Sequence, residues 1–558
     1  MNYHEEYKKW LSYLTVNLPQ EAARLIKMTE KEISHIFRGR LRFGTGGLRG
    51  YVGWGPSFIN TCTIERTTAG FARFIMERPE AKTAAIAYDT RQFSEKFARA
   101  AAGVLLGAGM EVWLFPMPAA TPLLSYCIRK LGLGWGIVIT ASHNPKEYNG
   151  YKCYDSRGVQ ILPEDAQKIT DYIESGDFFD NRAVPDREIG AHPKFHLLGQ
   201  GLTDGYLDEL YASLPDAALS REHGAELRIV YTPLHGCGAL PVKKILQKQG
   251  FVNTFFLQME PDPAFGGLAS PNPEEPEAFD RALSLAKSKK AHLILATDPD
   301  CDRLGVCVFD KDGFHQLTGN QVAALLTDYL LSTRPPGMGA ALVTSIVSGE
   351  MAQVIALNRG LKVQKTLTGF KYIGDLAQRE ELFFGYEESC GYLAGPLSGD
   401  KDGVEAAALV AEMALHHLRQ GSSLYRRWLA LGEKYGFYVE ALVNHKLENA
   451  SALEASGDIL DFFAALPPRA FPGLKIERVE DYAKSRWSDF TNGGSGALPF
   501  STNMVKIFFA GQSWAAVRPS GTEAKIKYYF SACAPTLKEA QEKIRELKRQ
   551  VIGCARSL

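Results

Sequence analysis

The amino-acid sequence predicts an α/β protein divided into four domains, and three observations carry that reading. Apolar runs rich in β-branched residues alternate with helical stretches along most of the chain, a rhythm that favours parallel or mixed sheets with helices on their faces. Clusters of Gly and Pro interrupt it near residues 202, 310 and 420, and the pattern changes after the last of them. At 558 residues the chain also exceeds the roughly 250 to 300 that one hydrophobic core accommodates.

In chain order, strands are expected at TAAIAYD (83–89), GIVIT (136–140), LRIVYT (227–232), HLILATD (292–298) and AALVTSIV (340–347). Helices are expected at SEKFARAAAGVLLGAG, PVKKILQKQG and EAFDRALSLAKSKK. The interruptions place the domains at 1–202, 203–311, 312–433 and 434–558. The first three are alike in rhythm.

Sixty-three basic and 63 acidic residues cancel, so no overall field recruits nucleic acid or an anionic membrane. The N-terminus MNYHEEYKKW is charged where a signal peptide is apolar, and no run reaches the ~18 apolar residues of a membrane span. A cytoplasmic protein is expected. Nine scattered cysteines without a CxxC pair argue against a disulfide framework and a thiolate zinc site.

Four loops carry chemistry. GIVITASHNPKEYNGYK (136–152) turns polar after Thr140, placing Ser142, His143 and Asn144 just past a strand, where βα loops present functional groups. Ser142 is a candidate nucleophile, although no GxSxG elbow surrounds it; a helix cap or turn explains the same cluster. In LILATDPDCDRLGV, Asp298, Asp300 and Asp302 alternate directly after a hydrophobic strand. Carboxylates so close repel unless a cation sits among them, and an all-oxygen set suits Mg²⁺. An EF-hand is excluded because Arg303 and Phe309 stand where its Gly and Glu belong; a solvated acidic turn is the alternative.

The third loop, LFFGYEESCGYL, offers Glu387, Glu388 and Ser389, whose acceptors and donors match sugar hydroxyls or, equally, a helix N-terminus. The fourth, AAVRPSGTEAKIKYYF, groups Arg518, Ser520, Gly521, Thr522 and Lys525. A guanidinium fork, hydroxyls and glycine-exposed N–H groups suit a phosphate dianion; a plain type I turn also accommodates them.

Together with RFGTGGLRG (42–50), PNPEEPEA (271–278), LTGFKYIG (367–374) and DKDGVEAA (400–407), these loops come in the order found in the α-D-phosphohexomutase superfamily, which the sequence resembles over nearly its whole length. The resemblance implies four domains around a central cleft: three related αβ domains with mixed sheets and a smaller C-terminal α+β domain. It implies that Ser142 is phosphorylated and donates its phosphoryl group, that Asp298, Asp300 and Asp302 hold Mg²⁺ with a Ser142 phosphate oxygen, and that Glu387 and Ser389 contact the sugar. Arg518, Ser520, Gly521 and Thr522 resemble the cradle for the phosphate that is not reacting, and Thr368, Arg303 and Lys401 are further substrate-binding candidates.

Three aspartates and a phosphoserine carry about five negative charges, against which Mg²⁺ returns two. By family position Arg49, His143, Lys152, Arg303 and Lys401 are the cations that offset the rest, and Lys152 resembles a lysine assigned to proton transfer. Lysine in an anionic setting favours its charged form, so charge stabilisation and proton transfer stand as rival roles. Pro299 and Cys301 in the metal loop, and GYEESCGY in the sugar loop, resemble a branch of phosphoglucomutases and phosphopentomutases. The expected reaction is therefore interconversion of α-D-glucose 1-phosphate and glucose 6-phosphate through glucose 1,6-bisphosphate. A phosphopentomutase, a phosphomannomutase and, more remotely, a phosphoserine-dependent phosphatase are the alternatives. The partners implied are small sugar phosphates, with the chain a monomer or weak homodimer and a hinge near residues 420–440 closing the fourth domain over ligand.

Overall fold

Apolar runs in the sequence become the central strands of four sheets. The computed structural model describes residues 3–44, 46–179, 182–337, 339–379, 382–446, 456–519 and 525–556. In the first sheet, β1 (Gly47–Tyr51), β2 (Thr83–Tyr88), β3 (Glu111–Leu114), β4 (Trp135–Ile139), β5 (Tyr148–Tyr154) and β6 (Phe195–Leu197) take the order β1-β5-β4-β2-β3-β6. The second has β7 (Ile229–Thr232), β8 (Thr254–Phe256), β9 (Leu293–Thr297), β10 (Leu304–Asp310) and β11 (Gly313–Leu317) in the order β11-β10-β9-β7-β8. The third has β12 (Ala341–Ser345), β13 (Lys362–Thr366), β14 (Leu382–Glu387) and β15 (Gly391–Leu393) in the order β13-β12-β14-β15. Each is mixed: parallel pairs such as β2–β4, β7–β9 and β12–β14 sit beside antiparallel ones such as β4–β5, β9–β10 and β14–β15.

The fourth sheet differs in kind. Its strands β16 (Phe437–Lys446), β17 (Ile476–Asp481), β18 (Arg486–Asp489), β19 (Ser495–Ala497), β20 (Val505–Phe509), β21 (Ser513–Pro519) and β22 (Lys525–Ala534) run β16-β22-β21-β20-β17-β18-β19. All its pairs are antiparallel. Helices Ser456–Ala464 and Leu537–Arg556 pack against it.

Local chemistry sets the helix ends. Asn60 accepts from the Thr63 N–H while Thr63 Oγ1 accepts from the Asn60 N–H, opening helix Thr61–Met76. Thr318 and Gln321 close the same reciprocal box before helix Gly319–Thr333, and removing such a cap costs about 1 kcal/mol. The stretch expected as one helix at EAFDRALSLAKSKK divides into a 3₁₀ turn, Pro276–Phe279, and an α-helix, Asp280–Lys289, because Pro276 favours entry into a turn.

One apolar core that includes Leu124, Tyr206, Leu246, Leu295, Leu326, Phe384 and Val410 runs through the first three layers. The fourth domain has its own, with Phe463, Val505, Ile507, Val517 and Phe530. A smaller cluster of Ile346, Val347, Tyr482, Met504, Trp514 and Tyr529 joins it to the third. The expected hinge span is mostly helix Leu424–Tyr435, followed by Gly436 at φ +92° and then β16.

Candidate active site

Ser142 lies two residues past Thr140, where the chain leaves β4. Its φ of +52° is left-handed, a conformation that costs a non-glycine residue roughly 1–2 kcal/mol. Local hydrogen bonds hold it there: the Ser142 N–H donates to Thr140 Oγ1 at 2.8 Å, and Thr140 Oγ1 donates to the buried Asp89 carboxylate at 2.7 Å. The chain then returns along β5, whose antiparallel pairing with β4 sets Lys152 opposite Val138.

The aspartate loop joins β9 to β10, and its neighbours fix it through the backbone. Thr121 N–H donates to Asp300 O at 2.9 Å, Gly403 N–H to Cys301 O at 3.1 Å and Leu304 N–H to Cys390 O at 3.0 Å. The first and third domains thereby grip the loop of the second. One ligand oxygen from each of Asp298, Asp300 and Asp302 lies within 4.8 Å of the others, and all three residues are buried. Ser142 Oγ donates to Asp298 Oδ2 at 2.7 Å.

Cations surround this cluster. Lys152 Nζ lies 2.9 Å from Asp300 Oδ2 and 3.2 Å from Asp302 Oδ2, and Lys401 Nζ is 3.2 Å from Asp302 Oδ2. Even so, Oδ1 of Asp300 and Oδ1 of Asp302 are buried without a hydrogen-bond partner. Burial, reinforced by Asp300 and Asp302, pushes the Asp298 carboxyl well above the usual range. Two orphaned carboxylate oxygens, a third carboxylate under like-charge pressure and no nitrogen or sulfur donor fit a hard divalent cation.

Burial disfavours the Lys152 ammonium, yet Asp300, Asp302 and Asp400 outweigh it and raise Lys152 above the ordinary lysine value. For Asp302, Lys401, Lys152 and Arg303 together overcome burial and hold the carboxyl below the usual range. His143 behaves otherwise. Its ring sits 3.2 Å from Ser142 Oγ, and burial, then Arg303 and Arg49, push it well below the ordinary histidine value. The sequence counts it among the cations; burial first, with Arg303 and Arg49 adding, disfavours its charged form. Arg49 Nη1 donates to Asn144 Oδ1 at 2.9 Å, and Arg303 is paired with Glu274 of the PNPEEPEA segment.

In the third sheet, the Gly369 N–H donates to Glu387 Oε1 at 2.7 Å, tying the end of β14 to the segment that holds Thr368. Glu388 turns instead toward Ser348 Oγ, 2.9 Å away, and Ser389 follows in the turn before β15. Arg518, the penultimate residue of β21, stands opposite Lys527 of β22. Ser520, Gly521 and Thr522 lie outside the described residues. Three residues absent from the sequence candidates join the site. Glu274 anchors Arg303; Lys371, buried in the LTGFKYIG segment, feels Glu387 and Arg518; Lys527 feels Glu388, Arg518 and Arg303. All three stand inside the quoted motifs, so a charged residue within each string was the available signal.

Three models described as phosphoglucomutase/phosphomannomutase match in chain order: alpha/beta/alpha domain I at residues 40–180, domain II at 204–313 and domain III at 318–431. A phosphoglucomutase of Staphylococcus aureus (strain N315) is 33% identical over 521 residues, covering 92% of this chain and 93% of its own. The chain belongs to the phosphoglucomutase/phosphomannomutase family. A solved structure of a putative phosphomannomutase from Thermus thermophilus superposes with a TM-score of 0.70 at 25% identity, covering 93% of this chain and 99% of that one. The open form of parafusin from Paramecium shares the fold at 18% identity and a TM-score of 0.70, covering 93% and 96%. The fourth sheet lies beyond the three matched stretches, but both superpositions extend over most of this family member. Among its described residues, no helix is long and apolar enough to cross a membrane.

Proposed function

We propose that the chain interconverts α-D-glucose 1-phosphate and glucose 6-phosphate through a phosphoserine at Ser142 and glucose 1,6-bisphosphate. The observation that carries this reading is the Ser142 hydroxyl hydrogen-bonded at 2.7 Å to the aspartate cluster, within a chain 33% identical to a phosphoglucomutase. Asp298, Asp300 and Asp302 would hold Mg²⁺, with the Ser142 phosphate beside them. When bound, the ion supplies positive charge to a phosphoryl oxygen.

In the first transfer a free sugar hydroxyl attacks the phosphorus, the bond from phosphorus to Ser142 Oγ breaks, and the hydroxyl proton ends on Oγ. After the bisphosphate turns around, Oγ takes the other phosphoryl group and the proton returns to the sugar oxygen. Lys152, held cationic by Asp300 and Asp302, suits charge compensation and proton delivery to the departing serine oxygen better than proton abstraction. Lys401, Arg303 and Arg49 add positive charge, with the His143 ring beside the serine. Glu387, Ser389 and Thr368 contact the sugar, while Arg518, with Ser520, Gly521 and Thr522, holds the other phosphate.

Phosphomannomutase is the second reading, favoured by the name of the Thermus relative. Comparing kcat/KM for glucose 1-phosphate, mannose 1-phosphate and ribose 1-phosphate, each with trace bisphosphate, decides the sugar. Glucose is expected to lead; a higher value for another sugar overturns the substrate assignment. Sustained release of inorganic phosphate faster than isomerisation would make the chain a phosphatase instead.

A further inference from the structure

Arg91 is a buried arginine that the reaction above does not use. It follows β2, and neither its guanidinium nor the carboxylate of Asp89 is exposed to solvent. Its Nη1 donates to Pro145 O at 2.7 Å and Tyr148 O at 3.1 Å; its Nη2 donates to Ser142 O at 2.6 Å and also to Asn144 O. Its Nε faces Asp89 Oδ2 at 3.1 Å. The ring of Phe265, from the second domain, covers the guanidinium at 4.8 Å.

Neutralising Arg91 requires only Asp89. Four carbonyls from one seven-residue stretch require something more: a planar fork whose donors diverge at fixed angles. Those carbonyls belong to the loop bearing Ser142. The Ser142 N–H is held by Thr140 Oγ1 and its C=O by Arg91, so both peptide groups flanking the left-handed residue are anchored. Asp89 links the two anchors, accepting from Thr140 Oγ1 at 2.7 Å and pairing with Arg91. Rotating either peptide group would swing Oγ away from Asp298.

We infer that Arg91 is a positioning residue for phosphoryl transfer, holding Ser142 in the backbone conformation that aims its Oγ at the aspartate cluster. This rests on the reading of Ser142 as the phosphoryl carrier. Lysine cannot reproduce the role, because its point charge cannot span four divergent carbonyls.

The test compares Arg91→Lys, Arg91→Ala and Ser142→Ala with wild type, using ³²P-labelled glucose 1,6-bisphosphate. A loop displaced by about 1 Å is expected to lower kcat about 100-fold, with KM within about twofold and the same fraction of chains accepting label. Added guanidinium ion is expected to raise kcat of Arg91→Ala at least about tenfold and leave wild type unchanged. A merely structural role shows the reverse: fewer chains accept label, each at the wild-type rate, without rescue. Should Arg91→Ala fail to fold, Arg91→Lys carries the test, and a wild-type kcat in it overturns the proposal. An active Ser142→Ala sinks the underlying serine reading instead.

Discussion

Ser142 and Asp298, 156 positions apart in the chain, meet through a 2.7 Å hydrogen bond between the serine hydroxyl and a buried carboxylate. Each lies just past a central strand, β4 for one and β9 for the other. The serine of one sheet thus meets the acidic cluster of the next only when both domains are folded and packed.

Removing divalent cations is expected to abolish isomerisation and Mg²⁺ to restore it. Asp302→Asn should lower kcat at least about 100-fold and weaken the rise in unfolding temperature that Mg²⁺ gives wild type, a rise worth about 2.7 kcal/mol at 100 times Kd. Full turnover after exhaustive chelation contradicts the assignment of the three aspartates.

Two groups are expected to set the pH range. Burial, then Glu388, pushes Glu387 up to about 7, while burial, with Arg518 adding and Glu387 opposing, pushes Lys371 down to about 8. kcat/KM should rise through about 7 as Glu387 ionises and fall above about 8 as Lys371 loses its charge. Glu387→Gln should remove the acid limb and Lys371→Met the alkaline one. The stability signs are opposite. The Glu387 contribution, full below 4.5, is lost as pH rises through about 7, whereas the Lys371 contribution, full above 10.5, is lost as pH falls through about 8. pH profiles of the two variants matching wild type would refute this.

Lys506 ties the fourth domain to the third. Its Nζ donates to Ile346 O at 2.7 Å and sits 3.8 Å from the Trp514 ring; burial, then Lys365, pushes it down to about 7. Its stability contribution is present above 10.5 and lost as pH falls through about 7, a slope of at most about 1.4 kcal/mol per pH unit. Denaturant unfolding between about pH 7 and 10 should show that slope in wild type and a flatter one in Lys506→Met.

Closure of the fourth domain should pivot at Gly436. With φ at +92° and Cys533 Sγ 3.1 Å from where a Cβ would stand, Gly436→Ala is expected to cost about 1–2 kcal/mol. Glucose 1,6-bisphosphate should shrink the wild-type radius of gyration in solution scattering. An unchanged scattering curve at saturation argues against closure.

The fold was legible where each strand has an unambiguous apolar run: β4, β9 and β12 all fall within or beside the expected stretches. Asp298, Asp300 and Asp302 were legible because carboxylates rarely alternate directly after a buried strand without a cation. Relationships set by distant partners were not. The downward shift of His143 comes from burial first and then from Arg303 and Arg49, which lie far off in the chain. Lys371 sits in helix Phe370–Arg379, where a lysine reads as solvated, and Arg91 follows a strand where it reads as a surface turn. Burial decides both, and no local pattern reveals it.

Phosphoryl capture at Ser142 is the most direct test. Wild type and Ser142→Ala would be incubated with Mg²⁺ and ³²P-labelled glucose 1,6-bisphosphate, the labelled site mapped and glucose 1-phosphate isomerisation measured in parallel. Label on Ser142 of wild type, with neither label nor turnover in the variant, is the expected result. Isomerisation by Ser142→Ala at the wild-type rate would contradict the phosphoserine mechanism.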